Sequence, residues 1–365
     1  MEKLVFRPKT GQGVGKDIRA ARAHAREVMD IILDEEIRAL ESHLAGWVGS
    51  SHCIAVSDAA SGIALALKAV GVRKGERVIA AGLGCALPVQ GILLAGALPV
   101  FADINPNTYT IDPFCVEYAL GKIKRNGQPF PRALIASDLF GAPCHFAELE
   151  QLCNRYGIAL IEDLSGALGS KYKGKHTGNF GRFSVTSFAC PWPLMDMGGG
   201  AVFCRDEGDS AKIAALRRGS RQQRIEPESR APYINSADAS LTRTRLDSLG
   251  EDHTRKEKVI ARYRENLMGK MRMQQVLPGS ESIYSQLIVA LPKAESRASV
   301  ISRLLKSNIP SGPPLCGQQT ADSDWNRTML ANTHALAGRL LSMPIHPYLS
   351  GQVVDFICES LLESV

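Results

Sequence analysis

From Ser187 to Val202 the chain reads Ser-Phe-Ala-Cys-Pro-Trp-Pro-Leu-Met-Asp-Met-Gly-Gly-Gly-Ala-Val, and this stretch restricts the fold more than any other. Two apolar, β-rich runs, Phe183–Ala189 and Ala201–Cys204, are joined by prolines, methionines and three consecutive glycines. Proline and glycine are the poorest helix formers, so the joint is not a helix. A crossover between parallel strands needs a dozen or more residues, and Cys190 to Gly200 is too short and too broken to provide one. The two runs are therefore expected to pair antiparallel. A glycine triplet marks a backbone that bends sharply or admits a close neighbour.

The rest of the first two-thirds has a different rhythm. Short β-branched runs at Cys53–Ser57, Arg77–Ala81, Leu98–Asp103, Ala133–Asp138 and Ile158–Asp163 alternate with helical patterns at Ala59–Val70, Leu87–Ala95, Pro113–Ile123 and Phe146–Tyr156. Such alternation predicts an α/β fold, a seven-stranded and mostly parallel sheet sandwiched by helices. The glycine bend then lies at one end of the sheet, where ligand sites of open α/β folds gather. An irregular arm (1–16) and a helix from Asp17 to about Leu44 precede the sheet.

After Arg205 the pattern changes. Asp209–Arg218 reads as a helix, and Gly219–Ser236 is polar, with Arg221, Arg224 and Arg230 among prolines. A charged amphipathic helix from about Glu251 to Met271 follows, then a strand at Ser285–Leu291 and helices at Ala294–Lys306 and His334–Leu341. The expected organisation is a large α/β domain over 1–249 and a smaller C-terminal α+β domain over 250–365.

A net charge of +6 with scattered basic residues does not point to nucleic acid. Nine cysteines without a Cys-x-x-Cys pair or zinc-type histidine spacing suggest neither a metal site nor a disulfide framework. They read as free thiols of a reducing compartment. No apolar run reaches bilayer-spanning length and the N-terminus lacks a signal core, so a cytoplasmic protein with no membrane contact is expected.

Several phrases, in this order and with near-gapless spacing, carry a resemblance. They are Gly71-Val-Arg-Lys-Gly-Glu-Arg-Val78, Gly96-Ala-Leu-Pro-Val-Phe-Ala-Asp-Ile104, Leu139-Phe-Gly-Ala-Pro143, Ile161-Glu-Asp163, Tyr172-Lys-Gly174, Gly199-Gly-Ala-Val202 and Leu341-Ser-Met-Pro-Ile-His-Pro347. Over nearly its whole length the chain resembles the DegT/DnrJ/StrS family of sugar aminotransferases. These are pyridoxal-phosphate enzymes of fold type I that act mostly on nucleotide-linked keto-sugars. The resemblance implies that fold, a homodimer whose sites form between subunits, and a place in surface-polysaccharide or antibiotic-sugar synthesis.

Carried over residue by residue, the family's site is altered. Asp163 takes the position of the aspartate that faces the pyridine nitrogen of the cofactor, a protonated ring being the better electron sink; a strand-end aspartate also caps turns. Aligning Ser187–Val202 without a gap puts Trp192, between Pro191 and Pro193, where the Schiff-base lysine belongs. An indole neither forms an imine nor moves protons at neutral pH. Lys171, Lys173 and Lys175 fall in a polar hairpin expected to point to solvent. The family's phosphate-binding Ser-Gly-Thr reads Asp58-Ala59-Ala60, and an N-cap aspartate there places a carboxylate where a dianion would sit. Cys85 replaces a stacking aromatic ring, Gly166 replaces a glutamine, and Ser187 remains as a phosphate hydroxyl or a structural serine.

These changes share one physical logic. An emptied cavity costs stability, and the Trp192 indole, with its N–H donating to Asp163, is one way to fill it; placement elsewhere in the loop is the other. Arg217, Arg218, Arg221 and Arg224 suit a nucleotide-sugar diphosphate or an ordinary solvated loop. Three functions stay open. The first is a non-catalytic descendant that binds a nucleotide-sugar or serves a catalytic aminotransferase partner, with no covalent aldimine. The second is an enzyme holding pyridoxal phosphate noncovalently. The third is an active aminotransferase.

Overall fold

The computed structural model describes residues 35–189, 198–222, 234–293, 296–315, 317–318 and 328–365. Helix α1 (35–48) opens this part and buries Leu40, Leu44 and Val48, each worth about 2 kcal/mol of apolar burial. The strands that follow are β1 (His52–Val56), β2 (Arg77–Ala81), the two-residue β3 (Leu83–Gly84), β4 (Leu98–Ala102), β5 (Ala133–Ser137) and β6 (Ala159–Asp163). A small hairpin, β7 (Lys171–Tyr172) and β8 (Lys175–His176), precedes β9 (Phe183–Ser187) and β10 (Gly200–Cys204).

Seven of these strands form one sheet in the order β1-β10-β9-β6-β5-β2-β4. Strands β4, β2, β5, β6 and β9 run parallel, whereas β10 pairs antiparallel with both β9 and β1. The expected antiparallel pairing across the glycine bend is therefore present. The seven expected strands each appear within two residues of the expected ends.

Period-2 alternation distributes the core to both faces. On β2, Val78 and Ala80 pack with α2 (Ala59–Ala69) and α3 (Ala86–Leu94). Ile79 and Ala81 pack on the other face with α4 (Pro113–Arg125) and α5 (Phe146–Tyr156). Helices α2 and α3 approach closely because Gly91 is bare: a Cβ there would lie 2.5 Å from Cγ2 of Ile63. Helix α6 (Glu207–Gln222) adds Ile213 to the first face.

Helix α7 (Ser236–Leu267) starts fifteen residues earlier than its amphipathic pattern suggests. The Asn235 side chain caps it, accepting from the Asp238 N–H at 2.8 Å, and its first half packs on α1 rather than facing solvent. It runs without a break through position 250, from Leu246 and Leu249 beside α1 to Val259, Ile260 and Tyr263 in the C-terminal cluster.

That cluster surrounds a three-stranded sheet. After β11 (Arg272–Met273) and β12 (Ser280–Glu281) come β13 (Leu287–Ala290), α8 (Ser296–Lys306), β14 (Gly317–Gln318), α9 (Ala331–Ala337), β15 (Leu340–Met343) and α10 (Gly351–Ser364). The helix expected over His334–Leu341 stops at Ala337, because Leu340–Met343 is used as a strand against β13. Helix α10, capped by the Ser350 hydroxyl, has no counterpart among the expected elements.

The glycine triplet is explained position by position. A side chain at Gly198 would strike the Asp238 carboxylate, and Gly199 has φ +106 with Ile234 Cδ1 2.5 Å from a built Cβ. Gly200 has the carbonyl of Thr186 at 2.6 Å and the backbone nitrogen of Ala59 at 3.1 Å from the same built atom. Since those last neighbours are backbone, they cannot swing aside. Gly200→Ala is expected to lose about 2–4 kcal/mol in urea unfolding. Gly250→Ala, in α7 with open space around it, is expected to gain about 0.5–1 kcal/mol.

Candidate functional site

Three parallel strands end side by side. Ser137 of β5 stands opposite Asp163 of β6, and Asp163 opposite Val185 of β9, two residues before Ser187. Their carboxyl ends floor a cavity of about 340 Å³, walled by Cys85 and Leu87 on one side and by Ser285, Gln286 and Leu315 on the other. Ligands of open α/β folds bind at this edge of the sheet.

Asp163 is 3% exposed. Its Oδ1 accepts from the Ser165 hydroxyl (2.6 Å) and backbone N–H (3.2 Å), and its Oδ2 accepts from the Ser137 hydroxyl at 2.9 Å. Burial raises its pKa above the ordinary carboxylate value, against the lowering effect of these hydrogen bonds. Asp138, also lining the cavity, is buried too. Its Oδ1 accepts from the Cys144 N–H at 2.7 Å, while its Oδ2 has no partner among the described residues. Burial, then the nearby Glu162 carboxyl, push its pKa well above the usual range.

Glu162 belongs to the scaffold. Its carboxylate accepts from the N–H groups of Gly178 (2.7 Å) and Phe180 (3.0 Å) and from the Ser184 hydroxyl (2.7 Å), fixing the turn between β8 and β9. Backbone strain sits beside the cavity as well. Phe140 (φ 60) and Tyr284 (φ 47) adopt the left-handed region, Phe140 while lining the cavity and almost fully buried.

Asp163, Ser187, Cys85 and Gly166 come together around this cavity. Ala59 and Ala60 do not line it. They form the first turn of α2, buried behind Gly200, which pairs with Ser187. That turn is capped from within: Asp58 accepts from the Ser61 N–H at 2.7 Å and from the hydroxyls of Ser57 (2.9 Å) and Ser61 (3.0 Å). Its carboxylate thus holds the anion position of the helix. A side chain at Gly166 would face the Ser285 hydroxyl, 3.3 Å from a built Cβ. Trp192 lies outside the described residues.

The hairpin lysines are engaged elsewhere. Lys171 pairs with Glu281 at 2.9 Å, Lys173 lies over the Tyr172 ring, and Lys175 donates to the Asn179 carbonyl at 2.9 Å. Among the described residues no lysine, arginine or histidine lines the cavity. Residues 190–197 contain none in sequence. Arg217 bonds Glu41 at 2.9 Å and the Ala55 carbonyl at 2.6 Å, a partly buried ion pair joining α6 to α1 and β1. Arg218 is exposed, the side chain of Arg221 is not described, and Arg224 lies outside the described residues.

Pyridoxal phosphate fits one end of this arrangement and not the others. Asp163, with its hydroxyl donors and one lightly used oxygen, suits a protonated ring nitrogen. The helix terminus expected to take the phosphate already carries the Asp58 carboxylate, and the described walls offer no cation. Among the described residues no lysine lines the cavity to form an imine. Ser137, Asp138, Ser165 and Ser285 complete the cavity without belonging to any motif; the one sequence signal is that Ser137-Asp138 ends a strand, as Glu162-Asp163 does.

The family model described as the DegT/DnrJ/EryC1/StrS aminotransferase family matches residues 15–362. The chain is 29% identical over 346 residues to a UDP-2-acetamido-2-deoxy-3-oxo-D-glucuronate aminotransferase of Pseudomonas aeruginosa, covering 90% of this chain and 91% of that one. It is 23% identical over 350 residues to a dTDP-3-amino-3,6-dideoxy-alpha-D-galactopyranose transaminase of Aneurinibacillus thermoaerophilus, covering 95% and 94%. Among solved structures, a DegT DnrJ EryC1 StrS aminotransferase from Brucella abortus superposes with a TM-score of 0.78 at 22% identity, over 94% of this chain and 97% of that one. The fold is accordingly that of fold type I aminotransferases. Among the described residues no helix is long and apolar enough to cross a membrane.

The raised carboxyl pKa of Asp138 sets a pH dependence. The folded chain keeps a proton that the unfolded chain has released, so this group's contribution is most favourable in acid. It is lost as pH rises above the ordinary carboxylate range. Asp138→Asn removes that loss while keeping the acceptor for the Cys144 N–H. The variant is expected to exceed the parent by about 1–3 kcal/mol in urea melts at pH 7, with the gap closing below about pH 4.

Proposed function

Because the chain belongs to the DegT/DnrJ/EryC1/StrS aminotransferase family, we propose that it serves nucleotide-sugar metabolism without itself performing transamination. What supports this reading is that, among the described residues, no lysine lines the cavity. Trp192 occupies the family's lysine position in sequence, and the three hairpin lysines are held by Glu281, Tyr172 and Asn179 away from the cavity. Transamination requires a primary amine that is first an imine partner and then a proton carrier, and an indole is neither. Asp58 compounds the loss by placing negative charge where the cofactor's phosphate belongs.

The relatives named above act on UDP- and dTDP-linked sugars by their names, and a ligand of that class is the one proposed here. The quaternary arrangement proposed is a homodimer, as the family implies, with a catalytic aminotransferase as a second kind of partner. Division into a large domain over 1–249 and a small one over 250–365 is retained as a functional proposal, with the cavity between them and α7 as the shared beam. A cytoplasmic site of action is proposed on the same family grounds.

The test is covalent trapping. Protein incubated with pyridoxal phosphate and reduced with borohydride is expected to carry no pyridoxyl adduct, and to transfer no amino group from glutamate to keto-sugar nucleotides. An adduct on any lysine inside the cavity, or measurable transfer, overturns the proposal. Trp192→Lys alone is expected to leave transfer undetectable, because Asp58 still opposes the phosphate.

A further inference from the structure

The opposite end of the sheet holds a second cavity, of about 460 Å³, and three arginines line it. Arg132 directly precedes β5, Arg182 directly precedes β9, and Arg205 directly follows the antiparallel β10. Continuing the β9–β10 register, in which Phe203 faces Ser184, sets Arg205 opposite Arg182. In the order β10-β9-β6-β5, Arg132 lies two strands beyond Arg182. At about 4.8 Å per strand the row is about 14 Å long at the backbone. Ala159 lines this cavity and Asp163 lines the other, so β6 separates them by about 13 Å. Val70, Ile158 and Phe180 give it apolar walls, and Glu150 is the one carboxylate among its described lining residues.

The three guanidinium groups are unequally engaged. Asp209 accepts from Arg182 Nε (2.7 Å) and Nη2 (2.9 Å), which orients the group and leaves Nη1 unused by that pair. Arg132 approaches Glu76 only to 3.7 Å, and that carboxylate also accepts from the Arg73 N–H at 2.8 Å. Among the described residues no hydrogen bond or ion pair engages the Arg205 side chain. Burial, then the charge of Arg205, lower the pKa of Lys175, whose ammonium stands 5.2 Å from the centroid of the Phe180 ring. Cations at this end of a sheet commonly face the last carbonyls of the covering helices. Those of α5 are already met: Asn154 accepts from the Gly157 N–H at 3.4 Å and Cys153 from the Ile158 N–H at 2.9 Å.

We propose that this second cavity binds the diphosphate group of a small molecule, one phosphoryl on Arg205 and Arg182 and the other on Arg132. Guanidinium forks match phosphoryl oxygens in shape and charge. Two linked phosphoryls suit the row better than one, because Arg132 starts about 10 Å from Arg182 at the backbone. The volume lies within the roughly 300–1,000 Å³ of small-ligand pockets, and the apolar walls receive the uncharged part of the ligand. Glu150 opposes the anion and limits its affinity. The two cavities share no lining residue, so the inference does not depend on how the Asp163 cavity is read.

The test is calorimetry on the full chain in metal-free buffer at neutral pH, with inorganic pyrophosphate, inorganic phosphate and sulfate as probes. Pyrophosphate is expected to bind at least ~10-fold more tightly than the other two and to weaken as salt rises. Arg205→Gln and Arg132→Gln, both at exposed positions and checked for folding by circular dichroism, are each expected to weaken it about tenfold. Glu150→Gln is expected to tighten it about threefold by removing the opposing charge, a gain that loss of a purely structural residue does not give. Arg303→Gln, an equal loss of charge on α8, is expected to leave it unchanged. The proposal is overturned by absence of pyrophosphate binding, or by pyrophosphate binding no tighter than sulfate. It is equally overturned if Arg205→Gln and Arg132→Gln weaken binding no more than Arg303→Gln does.

Discussion

Strand β10 depends on the absence of a single methyl group. It is inserted antiparallel between β9 and β1, and at its first residue the Thr186 carbonyl, the Asp58 carbonyl carbon and the Ala59 nitrogen all crowd the place of a Cβ. Gly200 therefore lets the first turn of α2 rest directly on the sheet. That contact sets the position of the helix terminus relative to Ser187, the pairing partner of Gly200. The neighbouring glycines have separate reasons, Gly199 its positive φ and Gly198 the Asp238 side chain of α7. One bend thus ties together the sheet edge, α2 and the long helix that reaches the C-terminal sheet.

The same geometry gives Asp58 its influence. A helix N-terminus offers unpaired N–H groups and a partial positive charge, and here the carboxylate of the helix's own cap, Asp58, accepts from the Ser61 N–H, with the Ser57 and Ser61 hydroxyls completing its shell. Across Gly200 the floor of the cavity is acidic too. Glu162, adjacent in sequence to Asp163, is fully satisfied by backbone and serine donors, so it serves the turn before β9 and not the cavity. The distinction between these two neighbours is one of strand geometry: consecutive residues of β6 face opposite sides of the sheet.

Much of the fold was legible in the sequence because buried parallel strands write continuous apolar runs and their helices write a 3.6-residue period. Cys190–Gly200 announced its antiparallel exit by being too short and too broken for a crossover helix. Other features were hidden for identifiable reasons. The first half of α7 is polar and packs one narrow stripe on α1, so its pattern is weak. Leu340–Met343 follows a helix with only Gly338 and Arg339 between, and its apolar run is ambiguous between strand and helix until β13 is seen beside it. At the site, Asp163, Ser187, Cys85 and Gly166 were reached through family phrases. Ser137, Ser165 and Ser285 were not: Ser137 bonds the Asp163 carboxylate from the neighbouring strand, Ser165 bonds it from the turn that follows, and Ser285 Oγ has no hydrogen-bond partner among the described residues, so none of them leaves a spacing to detect.

The strained backbone bears on whether the cavity is empty scaffold or a working site. Phe140 and Tyr284 each hold a left-handed conformation that costs a non-glycine residue on the order of 1 kcal/mol. Phe140 lines the cavity, and Tyr284 immediately precedes Ser285 on its opposite wall, with Gly141 bare enough for the two segments to meet. Both costs therefore fall at the carboxyl end of the sheet, on two segments that face each other across the cavity.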